Sequence, residues 1–256
     1  MLGEQRQAMI RETLRKQGAV TITELVQALS VSAMTIRRDL EQLEQQGLLR
    51  RTHGGAVARV LLEPDPPFTQ RDQIQQQAKS RIARLAAELV QDGEQIILDS
   101  GSTVAAMSPY LEQKQGLTVI TFSIPVIKHL LHHEHIQLIC TGGVGDPTTD
   151  ALVGPLAERM LEGVRVDKAF LGATSISLED GFSNSNLQNL ALQRILLRVA
   201  RASYLLVDST KFACRPFWLV AQLQEVAGII TDEQAPTESV ARIEQAGIPI
   251  KVVASG

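Results

Sequence analysis

The chain has 256 residues, 44% of them hydrophobic, with 25 Lys and Arg against 28 Asp and Glu, a formal net charge of −3 and two cysteines. That content supports more than one buried core and excludes a disordered, fibrous or disulfide-stapled chain. Charge is unevenly spread: residues 1–60 carry nine Lys/Arg and six Asp/Glu, leaving +3 there and −6 in the remainder, so a basic head precedes an acidic body.

The chain opens on MLGEQRQAMIRETL, an amphipathic helix with charges throughout. It lacks a secretory pattern, and no apolar run approaches the roughly 20 residues that span a bilayer; a cytoplasmic protein without a membrane partner is expected. Next comes TITELVQALSVSAMTIRRDLEQLEQQGLLRRTHGG at residues 21–55. Thr21 or Thr23 can cap a short helix burying Leu25, Val26 and Leu29, and Leu29-Ser30-Val31 makes a turn. Ser32 can cap a second helix in which Ile36, Leu40 and Leu43 face inward, leaving Met34, Thr35, Arg37 and Arg38 on its outer, N-terminal half. In helix-turn-helix proteins that end meets base edges. Gly47 stops the helix, and residues 48–57 form two short strands around a Gly-Gly turn, a wing with Arg50 and Arg51 placed to reach phosphates beside His53, Gly54 and Gly55. Arginine suits either guanine or phosphate because its fork donates two parallel bonds, and Thr35 can touch a phosphate or a thymine methyl. The plainer alternative is that Arg37 and Arg38 only pair with Glu41 and Glu44 on a solvated face. Turn, helix and wing in register favour a DNA-binding domain over residues 1–57.

Residues 58–76 contain Glu63-Pro64-Asp65-Pro66-Pro67, which breaks helical periodicity and predicts an extended, semi-rigid linker. Over residues 77–256 helices and strands alternate: helix 78–90, strand 95–99, helix 104–113, strand 117–121, helix 125–132, strand 136–141, helix 154–161, strand 166–171, helix 187–201, strand 204–207, strand 228–231, helix 237–245 and strand 248–253. Continuous apolar runs within the strands predict an α/β body with a mostly parallel sheet covered on both faces.

Open α/β sheets bind ligands beyond the carboxyl ends of their strands. Asp99-Ser100-Gly101-Ser102-Thr103, Thr121-Phe122-Ser123, Thr141-Gly142-Gly143 and Asp208-Ser209-Thr210-Lys211-Phe212 all follow strands and combine glycine, hydroxyls and one lysine, a set that suits a phosphate. Asp99 would repel that phosphate and is expected to cap amides or accept from a ligand hydroxyl. Cys140 and Cys214 lie 74 positions apart without CxxC spacing and read as small buried hydrophobes. His132, His133 and His135 read as a solvated turn, so no metal or other cofactor is expected. Phe217 and Trp218 read as core or subunit contact.

The head motif, followed in order by ILDSGST, TGG, LVGPLAE, VDKAFLGATSIS, EDGFS and LLVDSTKF, resembles the DeoR family of bacterial transcription regulators over nearly the whole chain. The resemblance implies a winged helix-turn-helix joined to a sensor domain similar in fold to ribose-phosphate isomerases. It implies a repressor of sugar-catabolism genes, relieved by a phosphorylated sugar bound near Ser100, Gly101, Ser102, Thr103, Gly142, Gly143, Gly172 and Lys211. Three positions depart from the family pattern: Phe122 stands for a common Asn, Gly145-Asp146 for an Arg or Lys, and Leu187 for a Glu after Asn186. The phosphate-facing half is retained and the sugar-reading half altered. A homo-oligomer on double-stranded DNA is expected, because such heads bind paired half-sites. The rival reading is a phosphosugar isomerase-like enzyme fused to a DNA-binding head; its base would be Asp99 or Asp167, the carboxylates near strand ends.

Overall fold

The computed structural model describes residues 3–17, 19–45, 49–52, 54–58, 66–213 and 218–254. These form two units, an N-terminal one reaching Glu63 and a larger one beginning at Pro64. Gly47, His53, Cys214, Pro216, Phe217 and residues 59–65 of the expected linker lie outside the described residues.

The N-terminal unit runs α1 (Gly3–Gln17), β1 (Ala19–Thr21), α2 (Ile22–Leu29), α3 (Ala33–Gln45), β2 (Leu49–Thr52) and β3 (Gly55–Ala58). Thr21, one of two candidate caps, closes a capping box: its Oγ1 accepts from the Glu24 amide at 3.2 Å and Glu24 Oε2 accepts from the Thr21 amide at 2.8 Å. Such a cap stabilises a helix by about 1 kcal/mol. Ser30 ends α2 in the left-handed region (φ 51°), turning the chain, and Ser32 Oγ accepts from the Thr35 amide at 3.2 Å to start α3. Ile10, Leu14, Leu25, Leu29, Ile36, Leu40, Leu43 and Leu49 make the core. Arg6 of α1 and the buried Asp39 of α3 form a two-point ion pair that holds the first helix against the third. Gly55, expected in the wing turn, already belongs to β3, where it pairs with Thr52, and Gly54 stands in the turn before it. The strand β1 was not expected; it completes a three-stranded antiparallel sheet in the order β1-β3-β2.

The larger unit begins with α4 (Phe68–Gln73) and α5 (Gln76–Glu88). Where an extended linker was expected, residues 68–73 are therefore helical. Phe68 is buried, and its amide donates to the Thr148 carbonyl at 2.8 Å, so an aromatic inside a Pro-rich stretch anchors it to the body. There follow β4 (Gln95–Leu98), α6 (Ser102–Ala105), α7 (Ser108–Leu111), β5 (Leu117–Thr121), α8 (Ile124–Leu130), β6 (Ile136–Cys140), β7 (Val144–Asp146), β8 (Ala151–Val153), α9 (Pro155–Glu162), β9 (Val166–Leu171), β10 (Ser175–Ser177), β11 (Gly181–Asn184), α10 (Leu187–Val199), β12 (Ala200–Leu206), β13 (Trp218–Ala221), β14 (Gly228–Asp232), α11 (Thr237–Gln245) and β15 (Ile250–Val253).

Seven of these strands form one sheet, in the order β15-β14-β12-β9-β4-β5-β6, and every pairing in it is parallel. Alternate residues serve opposite cores: Ile97, Ile120, Ala169, Leu171, Leu205 and Ile229 face one, Ile96, Leu98, Val119, Phe170, Leu206 and Ile230 the other. This is why the strands carry consecutive apolar residues, such as Ile96-Ile97-Leu98 and Ala169-Phe170-Leu171, instead of strict alternation. Strand order reverses between β4 and β9, so the loops after these two strands diverge and leave a crevice. Two further sheets were not expected, the β7–β8 hairpin and the antiparallel set β10-β11-β13. Their strands are only three or four residues long, too short for a period-two signal.

Candidate functional site

On α3, Met34 is 71% exposed, Arg37, Arg38 and Ser32 are exposed and Thr35 is half-buried, with its hydroxyl 2.9 Å from that of Ser32. Neither Arg37 nor Arg38 forms an ion pair with Glu41 or Glu44. Those carboxylates hold Arg51 instead, its Nε 3.3 Å from Glu44, its Nη1 3.6 Å from Glu41 and its amide donating to Glu44 at 2.8 Å. Arg51, expected to reach phosphates, thus ties the wing to α3, whereas Arg37 and Arg38 make no ion pair with these glutamates. Backbone pairing puts Arg50 opposite Val57 in the hairpin. Gly54 is exposed, with open space where a Cβ would be, while a Cβ on Gly55 would fall 1.9 Å from the Val20 carbonyl oxygen. Strand pairing therefore leaves no room for a side chain at Gly55.

At the switch point between β4 and β9 lies a cleft of about 170 Å³. Asp99, Ser100, Gly101, Ser102 and Thr103 come to it from β4, Gly172 and Thr174 from β9, and Lys211 from the turn after β12. Ser123, Gly142 and Gly143 do not reach it. They follow β5 and β6, farther from the reversal, where the β7–β8 hairpin folds over them: Ser123 bridges Ala151, and a Cβ on Gly143 (φ 125°) would fall 2.6 Å from the Val153 carbonyl oxygen. Phe122, between these loops, is fully buried. Sequence reading missed Arg71, which α4 brings into the cleft, and also Thr148, Thr149, Asn184, Ser185, Asn186, Asn189 and Gln193. The polar run Ser183-Asn184-Ser185-Asn186 was the available signal.

Asp99 is 2% exposed, and both its oxygens are occupied: Oδ1 accepts from the Ser100 amide at 2.7 Å, Oδ2 from the Gly172 amide at 2.9 Å and from Gln193 Nε2 at 2.6 Å. Burial pushes its carboxyl above the usual range, against the pull of those donors. The amide-capping role expected for Asp99 is the one it has, and a carboxylate so committed is poorly placed to take a proton from a substrate. The network continues outward. Gln193 Oε1 accepts from Asn184 at 3.1 Å, and Asn184 Oδ1 from the Asn186 amide at 2.9 Å. Asn186 Nδ2 donates at 2.9 Å to Asp146, which also accepts from the Thr148 amide and the Thr149 hydroxyl. Burial disfavours the Asp146 charge, but these donors together hold its carboxyl below the usual range. Leu187, where the family pattern has Glu, is not among the cleft's lining residues and is 52% exposed.

Arg71 and Lys211 line the cleft without an ion pair to any carboxylate among the described residues. Behind them the buried Lys79 donates to the Arg71 carbonyl, and desolvation holds its ammonium below the usual lysine range. The cleft thus offers two cations, several hydroxyls and no carboxylate with a free oxygen, a setting for an anion.

Elsewhere, Cys140 is exposed where a buried thiol was expected, and Trp218 is partly exposed. His132 and His135 lie in exposed turns, as expected; beyond that, His129, His133 and His135 gather on Glu112, at 2.7 and 3.5 Å from its carboxylate and 2.5 Å from its carbonyl respectively. No cluster among the described residues is arranged to hold a metal ion, and none of their helices is long and apolar enough to cross a membrane.

Comparison with known families matches residues 6–59 to the DeoR-like helix-turn-helix domain and residues 74–233 to the DeoR C terminal sensor domain. The chain belongs to the DeoR family of transcriptional regulators. It is 36% identical to the uncharacterized HTH-type transcriptional regulator YulB of Bacillus subtilis, over 99% of this chain and 98% of that protein. It is 32% identical to a putative aga operon transcriptional repressor of Escherichia coli O157:H7 (97% and 93% covered) and 33% identical to the lactose phosphotransferase system repressor of Staphylococcus aureus (87% and 89%). This DeoR-family protein is accordingly a DNA-binding transcriptional regulator and not an enzyme. A ribose-5-phosphate isomerase in complex with phospho-erythronic acid superposes on 54% of each chain at a TM-score of 0.41 and 19% identity, a distance at which nothing about activity follows.

Proposed function

We propose that this regulator represses a carbohydrate-utilisation operon and leaves its operator when a phosphorylated sugar occupies the cleft between β4 and β9. The observation that carries the reading is a pair of cations, Arg71 and Lys211, facing a switch-point cleft whose carboxylates are all committed. The phosphate would lie against these cations and the hydroxyls of Ser100, Ser102 and Thr103. The names of the sugar-operon relatives support the same assignment. The N-terminal unit takes the DNA, with Arg37, Arg38, Met34 and Thr35 toward the groove, and the larger unit senses and oligomerises. Working on DNA places the protein in the cytoplasm. For induction, the sugar phosphate must bind one arrangement of paired heads more tightly than the other, since equal affinity shifts nothing.

A gel shift on the DNA upstream of the protein's own gene, challenged with a panel of phosphorylated sugars, tests the reading. One or more panel members should release the DNA. Arg38→Ala should weaken binding about tenfold or more without lowering stability, the loss of one good base or phosphate contact. Lys211→Ala should bind DNA normally but respond poorly to the sugar. Wild-type behaviour of both variants would remove these residues from their assigned sites.

A further inference from the structure

The cleft holds one side chain that the folded protein leaves unfinished. Asn189 stands in the first turn of α10, lines the cleft and is 5% exposed. Its amide donates to Asn186 Oδ1 at 3.1 Å, so the backbone there is satisfied and the residue is fixed in place. Its side-chain oxygen, by contrast, is buried with no donor. Buried polar atoms in folded proteins almost always have a partner, and an exception beside a binding cleft asks for one from outside.

The neighbouring carboxamides are already used. Asn184 donates to Gln193, Gln193 donates to Asp99 and to the Gly172 carbonyl, and Asn186 donates to Asp146 while accepting from the Gln188 and Asn189 amides. These three build the wall; Asn189 is the one whose oxygen remains open among them. We propose that Asn189 selects the ligand, its carboxamide oxygen accepting a hydrogen bond from a hydroxyl on the non-phosphorylated part of a sugar phosphate. This rests on the reading of the cleft as a sugar-phosphate site.

The donor is a hydroxyl and not an ammonium. An ammonium in a buried site needs a counter-charge. Both nearby carboxylates are spent, Asp99 on the Ser100 and Gly172 amides and Gln193, Asp146 on Thr148, Thr149 and Asn186. Arg71 and Lys211 make the remaining field positive. A neutral donor on an anionic ligand meets both conditions, and a site built to bond a hydroxyl discriminates strongly against an analogue without it.

Calorimetric titration of the full-length protein with inorganic phosphate, glycerol 3-phosphate, ribose 5-phosphate and tagatose 6-phosphate tests this. The wild type should bind at least one sugar phosphate about tenfold or more tighter than inorganic phosphate. Asn189→Leu should lose most of that ratio while binding inorganic phosphate as before, and the unliganded variant should melt no lower than wild type, because an unsatisfied acceptor has been removed. Asn189→Asp keeps the acceptor and should keep the ratio, with both ligands weakened by the added negative charge. An unchanged ratio in Asn189→Leu overturns the proposal and leaves the sensing reading standing. So does a parallel loss of phosphate and sugar binding with a lowered melting temperature, or a failure of the leucine variant to fold together with loss of the ratio in Asn189→Asp. A wild type that prefers no sugar phosphate over inorganic phosphate sinks the sensing reading itself, and this inference with it.

Discussion

Replacing Gln193 by Leu removes the side chain on which the cleft network turns. Gln193 is 1% exposed and donates to Asp99 Oδ2 at 2.6 Å and to the Gly172 carbonyl at 2.8 Å, while its oxygen accepts from Asn184. A hydrogen bond to a buried charge contributes about 1.5–3 kcal/mol, and leaving the Asn184 amide without an acceptor costs about 1–3 kcal/mol. Leucine is close in volume, so little cavity term is added. The expected loss is about 3–5 kcal/mol, and at roughly 2–4 °C per kcal/mol for a unit of this size the melting temperature should fall by about 10 °C. The loss should also depend on pH. The Asp99 carboxyl is raised by burial, so the folded state carries a penalty for its ionised form. That penalty is full above the folded pKa and disappears as pH falls below the unfolded one. Gln193→Leu raises the folded pKa further, so its destabilisation should be largest near neutrality and shrink toward acid pH. Thermal melts followed by circular dichroism across that range supply the measurement. A variant within about 1 kcal/mol of wild type at neutral pH, or a loss independent of pH, would refute the view that Gln193 sustains a buried Asp99 carboxylate.

Gly55→Ala should cost about 3 kcal/mol, the upper end of overpacking penalties, because the new methyl meets the Val20 carbonyl; amide exchange should show β1 and β3 deprotected while the large sheet stays as in wild type. Asp146→Asn should flatten the acid limb of the stability curve. With the folded carboxyl held below its usual range, wild-type Asp146 contributes stability above the unfolded pKa and loses it as pH falls through the folded one, so urea midpoints of wild type and variant should converge in acid.

The two-unit plan, the helix-turn-helix and an α/β body with a mostly parallel sheet were legible because each rests on a local regularity. Apolar residues recur at helical spacing in residues 22–45, strands 95–98 and 166–171 carry the apolar runs Ile96-Ile97-Leu98 and Ala169-Phe170-Leu171, and Thr21 and Ser32 are ordinary caps. The histidine cluster and the exposure of Cys140 were not legible, since neither follows from neighbours in the chain. Nor was the partner of Arg51, because Glu41 and Glu44 serve equally well as helix-face partners of Arg37 and Arg38 until the hairpin is placed.

For the cleft, the amino-acid order determined which loops follow strands and which of them carry hydroxyls, glycine and lysine. Which loops meet was decided by the order of strands across the sheet, a long-range property. Reversal between β4 and β9 joins Asp99–Thr103 to Gly172 and Lys211, while the β7–β8 hairpin covers Ser123, Gly142 and Gly143. Arg71 and Asn189 arrive from helices whose local sequence carries no mark of a binding site; only packing against the sheet turns them toward the same small volume.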